Sequence, residues 1–407
     1  MYFSRPKIKL IIFISYILLV MISELFYRHY LFNKSVEIET NLDKNSSKTT
    51  IKIFKILTQC GTKNIFIPIL IIIHILYPLN ISYTFLSVLI LSNYYVNILK
   101  LLYGSPRPFW IKPSIKKACD GGYGNPSGHS ISSFSFYLSF WNLIIENKYF
   151  KNNNYLKIIS FIFAIILSFL VALSRIYLSI HSINQVIYGS FLGVAIYFYH
   201  FQILKIHKFT GKKFFQYITG KIENEIHLIK FIIYNLIIFL LCFLRKNNWR
   251  QYSNILKKEC PHLPSYRRFN NDGLYVGSIL FLLIGAHYGL YFFFKKNVIK
   301  KPFKEEEINN WSKKNDLKTF FMKILIFIPH LLPMIIFIAI PKNISLLLIF
   351  PFKVIIPYSI TGYLIYNVFI YNCIKYKLGN EEIYLKIGAE AEVEKNESVQ
   401  IVENINI

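Results

Sequence analysis

Hydrophobic residues in this chain come in long blocks, with the charged residues pushed between them. Stretches free of Asp, Glu, Lys and Arg cover 10–23, 64–99, 121–145, 158–174, 176–204, 231–244, 273–294, 324–341 and 354–374. A helix that crosses a bilayer needs about 20 largely apolar residues. The longest stretch, 64–99, divides at Pro78-Leu79-Asn80, a turn signal, into two crossings. The pattern predicts helices over 8–24, 65–78, 81–99, 130–146, 158–174, 183–204, 230–245, 273–294, 322–340 and 354–374. It leaves a polar loop at 28–64, an irregular loop at 100–129, and basic loops at 205–229, 246–272 and 295–321. The fold class is all-α, a polytopic membrane helical bundle. Its expected parts are a six-helix core over 1–204, a C-terminal transmembrane region over 205–374 and an acidic disordered tail over 375–407. The C-terminal region is left to a dimerisation or regulatory role, with a homodimer as the expected assembly.

Composition agrees with that picture. Of 407 residues, 54% are hydrophobic and 17% charged, against roughly a quarter charged in a soluble domain. An ordinary water-soluble fold is excluded. The net charge of +26 does not mark a nucleic-acid partner, because the basic residues lie in loops between apolar blocks, where membrane lipids with anionic headgroups attract them. Only 381–407 reverses sign, with seven Glu against Lys386 and Lys395. The five cysteines (60, 119, 242, 260, 373) form no CxxC or Cys/His pairing, so no metal pattern is present. Arg5, Lys7 and Lys9 before the first apolar block resemble a signal peptide. No small-residue cleavage site follows, which makes it a retained first helix or signal anchor.

Three polar clusters interrupt the apolar pattern. The first runs from Lys100 to Arg107-Pro108-Phe109-Trp110, with Pro106 and Pro108 fixing the backbone around one guanidinium. The second is Gly121-Gly-Tyr-Gly-Asn-Pro126-Ser127-Gly128-His129-Ser130, which opens directly into an apolar block. Glycine- and proline-rich backbone at a helix start presents unpaired N–H groups to an anion. The third is Ser174-Arg175-x5-His181-x3-Gln185. An Arg and a His at membrane depth are costly unless paired or functional. Together the clusters supply three cations, a backbone anion cradle and two imidazoles, and the crossings between them return each cluster to one membrane face. That set suits phosphoryl transfer without a metal or other cofactor, since the cations neutralise phosphate and the imidazoles act as nucleophile and acid. No Asp/Glu cluster suited to Mg²⁺ adjoins them.

The chain resembles the type 2 phosphatidic acid phosphatase and haloperoxidase superfamily, whose signature is K-x6-RP, then PSGH, then SR-x5-H-x3-D. Lys100-x6-Arg107-Pro108, Pro126-Ser127-Gly128-His129 and Ser174-Arg175-x5-His181 reproduce it in order and spacing. The resemblance covers about 64–204. It implies that Lys100, Arg107, Arg175, Ser127 and the Gly128 backbone hold the phosphate, that His129 is the general acid, and that His181 becomes a transient phosphohistidine. Gln185 stands where the family usually has Asp, as it does in the glucose-6-phosphatase branch, whose first motif also resembles Arg107-Pro108-Phe109-Trp110. Gln185 can orient the imidazole of His181 without adding charge. The resulting expectation is an integral membrane phosphomonoesterase acting on a lipid phosphate such as sphingosine phosphate or phosphatidate. The alternatives are a glucose-6-phosphatase-like enzyme acting on a sugar phosphate and a non-catalytic lipid-binding membrane protein. With the N-terminus cytosolic, the three clusters face the lumen of the endoplasmic reticulum. Two sequons, Asn33-Lys-Ser and Asn45-Ser-Ser, then fall in the first lumenal loop, and Cys119 and Cys260 share that face, where a disulfide between them is permitted.

Overall fold

The first apolar block does not stop where its charges begin. No Pro or Gly occurs between residues 7 and 44, and helix α1 (Pro6–Lys44) runs unbroken through the whole stretch. At 1.5 Å per residue it is about 58 Å long. Its polar residues are sorted by face. Glu24, Ser35 and Glu39, eleven and four apart, fall on one side and are fully buried, whereas Lys34 and Glu37 pair at 2.9 Å on the exposed side. The expected polar loop at 28–64 is therefore corrected. It holds the second half of α1, all of α2 (Lys48–Gln59) and the start of α3 (Lys63–Leu76). Charges that look like the end of a membrane helix are tolerated because the helical period turns them towards protein. The sequon at Asn33 lies inside α1 with its Ser35 buried, so it is not a lumenal loop site; Asn45 falls outside the described residues.

The computed structural model describes residues 6–44, 46–146, 152–244, 252–261, 276–297, 317–334, 351–376 and 378. Among these residues all regular secondary structure is helical. Helix α3 ends at Leu76 and α4 (Leu79–Tyr103) begins three residues later, at the turn that Pro78 signals. There follow α5 (Gly128–Glu146), α6 (Asn154–Tyr177), α7 (Ile183–Phe198), α8 (Lys221–Leu244), α9 (Leu280–Asn297) and α10 (Leu317–Phe327). Seven described helical segments are long and apolar enough to cross a membrane, and the chain is a multi-pass membrane protein. The predicted helix 322–340 is described only to residue 334, and the acidic segment 381–407 lies outside the described residues.

Two compact units emerge. One gathers residues up to Ile69, Ser87–Lys205 and Leu236–Gly277; the other gathers Leu70–Leu86, Ile206–Asn235 and residues from Ser278 onwards. The division expected at 204 adjoins one of these boundaries, between Lys205 and Ile206, and other boundaries fall inside helices. In the second unit Ser82 Oγ lies 2.7 Å from both His74 Nδ1 and Tyr366 OH, and Asn80 Nδ2 donates to the carbonyls of His207 and Phe209 at 2.8 and 3.1 Å.

In the first unit, small residues set the packing. A Cβ on Gly189 would lie 2.7 Å from Ser127 O, and one on Gly193 2.6 Å from Ile131 O, so this Gly-x3-Gly pair lets α7 lie directly on α5. The two helices run parallel, and Ser127 N donates to Gln185 O at 3.0 Å where both begin. Helix α6 runs antiparallel to α5, with Trp141 Nε1 donating to Lys157 O at 3.1 Å and Ser168 Oγ to Ser133 O at 3.3 Å. Helix α1 runs antiparallel to α7: Tyr16 OH donates to Phe191 O and Ile183 N to Ser35 Oγ, each at 3.0 Å. The start of α5, the end of α6 and the start of α7 therefore meet at one level. Gly193→Val should destabilise the unit by about 1–3 kcal/mol through overpacking, read as a lower unfolding temperature in detergent; an unchanged melting curve would contradict this packing.

Candidate active site

The loops at that level are built from backbone that cannot be ordinary. Gly124 N donates to Ser105 O at 2.8 Å. A Cβ on Gly124 would sit 2.6 Å from both Pro106 O and Gln185 Nε2, so only glycine admits this contact between the first and second clusters. At the end of α6, Ser179 adopts φ +56°, and Ile180 N and His181 N both donate to Arg175 O at 3.1 and 3.2 Å. This left-handed turn reverses the chain so that His181 returns beside Arg175.

Arg107 is wholly buried and wrapped by carbonyls. Its Nε donates to Gly122 O at 2.9 Å, NH2 to Gly121 O at 2.6 Å and NH1 to Ile180 O at 3.1 Å. The same NH1 lies 3.2 Å from His181 Nε2 and 3.3 Å from Asp120 Oδ2. Arg175 donates through NH1 to Thr58 Oγ1 at 2.8 Å and through NH2 to that same Asp120 oxygen at 2.6 Å. Burial opposes ionisation of Asp120, but the charges of Arg107, Arg175 and Lys100 outweigh it and hold the carboxyl well below the usual carboxylate range. Lys100, in the last turn of α4, and His129, in the first turn of α5, lie within electrostatic reach of the same group. Gly128 and His129 begin a helix, where no intrahelical carbonyl is available to their N–H groups. Ser127 caps that turn: its Oγ accepts from Ser130 Oγ at 2.9 Å, and its own N–H is taken by Gln185 O.

His181 Nδ1 lies 2.8 Å from Gly124 O and 3.1 Å from Gln185 Oε1. Both are acceptors, which assigns the proton to Nδ1 and leaves the Nε2 lone pair facing Arg107. Gln185 cannot turn over, because its Nε2 donates to Pro106 O at 2.8 Å while its Oε1 accepts from Ser182 N at 3.3 Å. Burial, followed by the charges of Arg107, Arg175 and Lys100, holds the imidazole pKa well below its ordinary value. The same surroundings favour the uncharged imidazole of His181. Among the described residues no group of three His, Cys, Asp or Glu side chains is placed to hold a metal ion.

Residues 82–208 match the family described as the PAP2 superfamily. This part of the chain is similar to the PAP2 superfamily. Over 121 residues the chain is 32% identical to the dolichyldiphosphatase of Saccharomyces cerevisiae, a match covering 28% of this chain and 50% of that relative. The chain thus spans half the length of this curated relative. No solved structure matches the chain. The PAP2 segment contains all three motifs, and the structure brings Arg107, Arg175, His181 and Gln185 into one bonded cluster, with Lys100 and His129 beside it. Phe109 and Trp110, by contrast, are buried in the core, Trp110 against Tyr252 at a ring separation of 5.5 Å.

Sequence reasoning missed the residues that support this PAP2 cluster from outside the motifs. Asn125 Nδ2 donates to Glu24 Oε1 at 2.8 Å, fixing the second cluster to α1. Ser35 Oγ donates to Glu39 Oε1 at 2.7 Å while accepting from Ile183 N, which ties the start of α7 to the same helix. Glu24, Ser35, Glu39 and Thr58 come from α1 and α2, which precede residue 82 and lie outside the matched segment. The available signal was the spacing of 24, 28, 35 and 39 along one helical face. The Asp120 loop is fastened by a disulfide between Cys119 and Cys260, by Lys116 to Glu259 at 2.9 Å, and by Lys117 3.7 Å from Asp43. The permitted disulfide is therefore formed. Gln185→Leu, which removes all three of its side-chain hydrogen bonds, should lower kcat about 100-fold or more with little change in KM, and Gln185→Glu, which loses only the donor to Pro106 O, should fall between; a Leu variant with wild-type turnover would remove Gln185 from the orienting role.

Proposed function

We propose that this chain is a membrane phosphohydrolase that cleaves a lipid phosphate through a phosphohistidine on His181. The observation that carries the reading is the tautomer: Nδ1–H is engaged by Gly124 O and Gln185 Oε1, and the Nε2 lone pair points at a guanidinium 3.2 Å away. A phosphate resting on Arg107 and Arg175 presents its phosphorus to that lone pair. Nε2 attacks phosphorus, the P–O bond to the lipid breaks, and His129 gives its proton to the departing oxygen. Water then attacks the phosphohistidine, His129 takes a proton from it, and inorganic phosphate leaves. The three cations and the N–H groups opening α5 stabilise the extra charge of each transition state.

A lipid substrate is supported by the membrane-embedded bundle and by the dolichyldiphosphatase relative, which favours a polyprenyl diphosphate or monophosphate over a glycerolipid. Burial of Phe109 and Trp110 takes support from the sugar-phosphate alternative, since these side chains form core. The Cys119–Cys260 disulfide supports a site on the lumenal side of an oxidising compartment, and we assign the endoplasmic reticulum on that ground.

His181→Ala should lower kcat about a thousandfold or more and abolish the acid-labile phosphoenzyme trapped by rapid quenching with a labelled polyprenyl phosphate. His129→Ala should lose about 100-fold or more with an alkyl phosphate and far less with an aryl phosphate, whose leaving group needs little protonation. Wild-type turnover in His181→Ala would end the covalent mechanism, and equal losses on both esters would remove His129 as the acid.

A further inference from the structure

Asp120 belongs to none of the three motifs, yet its Oδ2 takes the two donors a phosphate needs. Arg175 NH2 reaches it at 2.6 Å and Arg107 NH1 at 3.3 Å, and that NH1 is 3.2 Å from His181 Nε2. Phosphorus placed in line with Nε2 must set its oxygens on the same two guanidinium groups. Two anions cannot share those donors at that distance, so the carboxylate has to move when a phosphate arrives. The surroundings allow this. The Asp120 side chain is 34% exposed, while both arginine side chains are at most 4% exposed. The carbonyls of Gly121 and Gly122 stay on Arg107, and Cys119 is fixed to Cys260. Rotation about the side-chain bonds of Asp120 is therefore enough, and the loop can remain in place.

We propose that Asp120 is the resident anion of the site and a specificity residue, displaced by dianionic phosphomonoesters and terminal diphosphates but not by monoanionic phosphodiesters. Exchanging one negative charge for two among Lys100, Arg107 and Arg175 is favourable, whereas exchanging one for one gains nothing and loses a tethered partner. A phospholipid diester headgroup, abundant in any membrane, is thereby kept off the nucleophile. The apparent affinity for phosphate is also reduced, by the fraction of time the site is open.

The proposal rests on the phosphatase reading, and the test separates the two. Full-length protein in detergent is assayed with a short-chain lipid phosphate, using inorganic phosphate and dimethyl phosphate as competitors, with direct calorimetric titration of each. Wild type should bind phosphate and ignore dimethyl phosphate. Asp120→Asn and Asp120→Ala should bind phosphate about tenfold more tightly and become sensitive to dimethyl phosphate, whatever happens to kcat. If wild type hydrolyses lipid phosphate but neither variant binds phosphate more tightly, Asp120 is a brace for the arginines and the proposal falls alone. If wild type neither binds phosphate nor hydrolyses, the phosphatase reading falls and takes this one with it. Failure of both variants to fold also overturns it, because an anion displaced at each turnover cannot be indispensable to the fold.

Discussion

Three basic side chains gathered at one buried point repel one another strongly, and an anion placed among them offsets part of that repulsion. Lys100, Arg107 and Arg175 are such a set, and Asp120 supplies the anion. The rest of the first unit follows from this requirement. Arg107 is spread over the carbonyls of Gly121, Gly122 and Ile180, so its charge is shared with fixed dipoles as well as with one carboxylate. Arg175 is divided between Asp120 and Thr58. With one carboxylate among three basic side chains, the cluster keeps an excess of positive charge.

Holding loops that closely demands backbone few residues allow. Gly124 is pressed between Pro106 and Gln185, and Ser179 takes a left-handed turn so that His181 can return to Arg175. Both are held from behind by α1, which reaches them through Glu24–Asn125 and through Glu39–Ser35–Ile183. Buried carboxylates in a membrane helix are costly. Here Glu24 accepts from Asn125 at the edge of the site, and Glu39 accepts from Ser35, which itself takes Ile183 N, so both act on the site from a helix outside the matched segment.

Gln185 shows why a carboxylate is not the only way to prepare a histidine. Its oxygen accepts from both His181 Nδ1 and Ser182 N, and its nitrogen donates to Pro106 O. An Asp at this position would be shorter and could not donate. The cost is the charge an aspartate would bring, and Gly124 O makes up part of it by accepting from the same Nδ1 at 2.8 Å. The tautomer is fixed by two neutral acceptors.

How much of this was legible differs by kind of residue. The apolar blocks announced the membrane helices, because a spanning helix must be apolar along its length whatever it packs against. The motif spacings announced Arg107, His129, Arg175 and His181, and the four-residue interval from His181 announced Gln185, since those contacts are made within a turn or between helix ends fixed by short loops. Ser35 and Glu39 were misread as part of a polar loop, because a polar residue looks the same in a sequence whether it faces water or a partner in the interior. Asp120 was passed over because its partners lie 13 and 55 residues away. Only the crossing of α5, α6 and α7, set by glycines at 189 and 193, brings them to one oxygen. Periodicity and motif spacing are local properties, which the chain determines by itself. Which carboxylate neutralises which arginine is decided by packing between distant segments, and only the tertiary structure contains it.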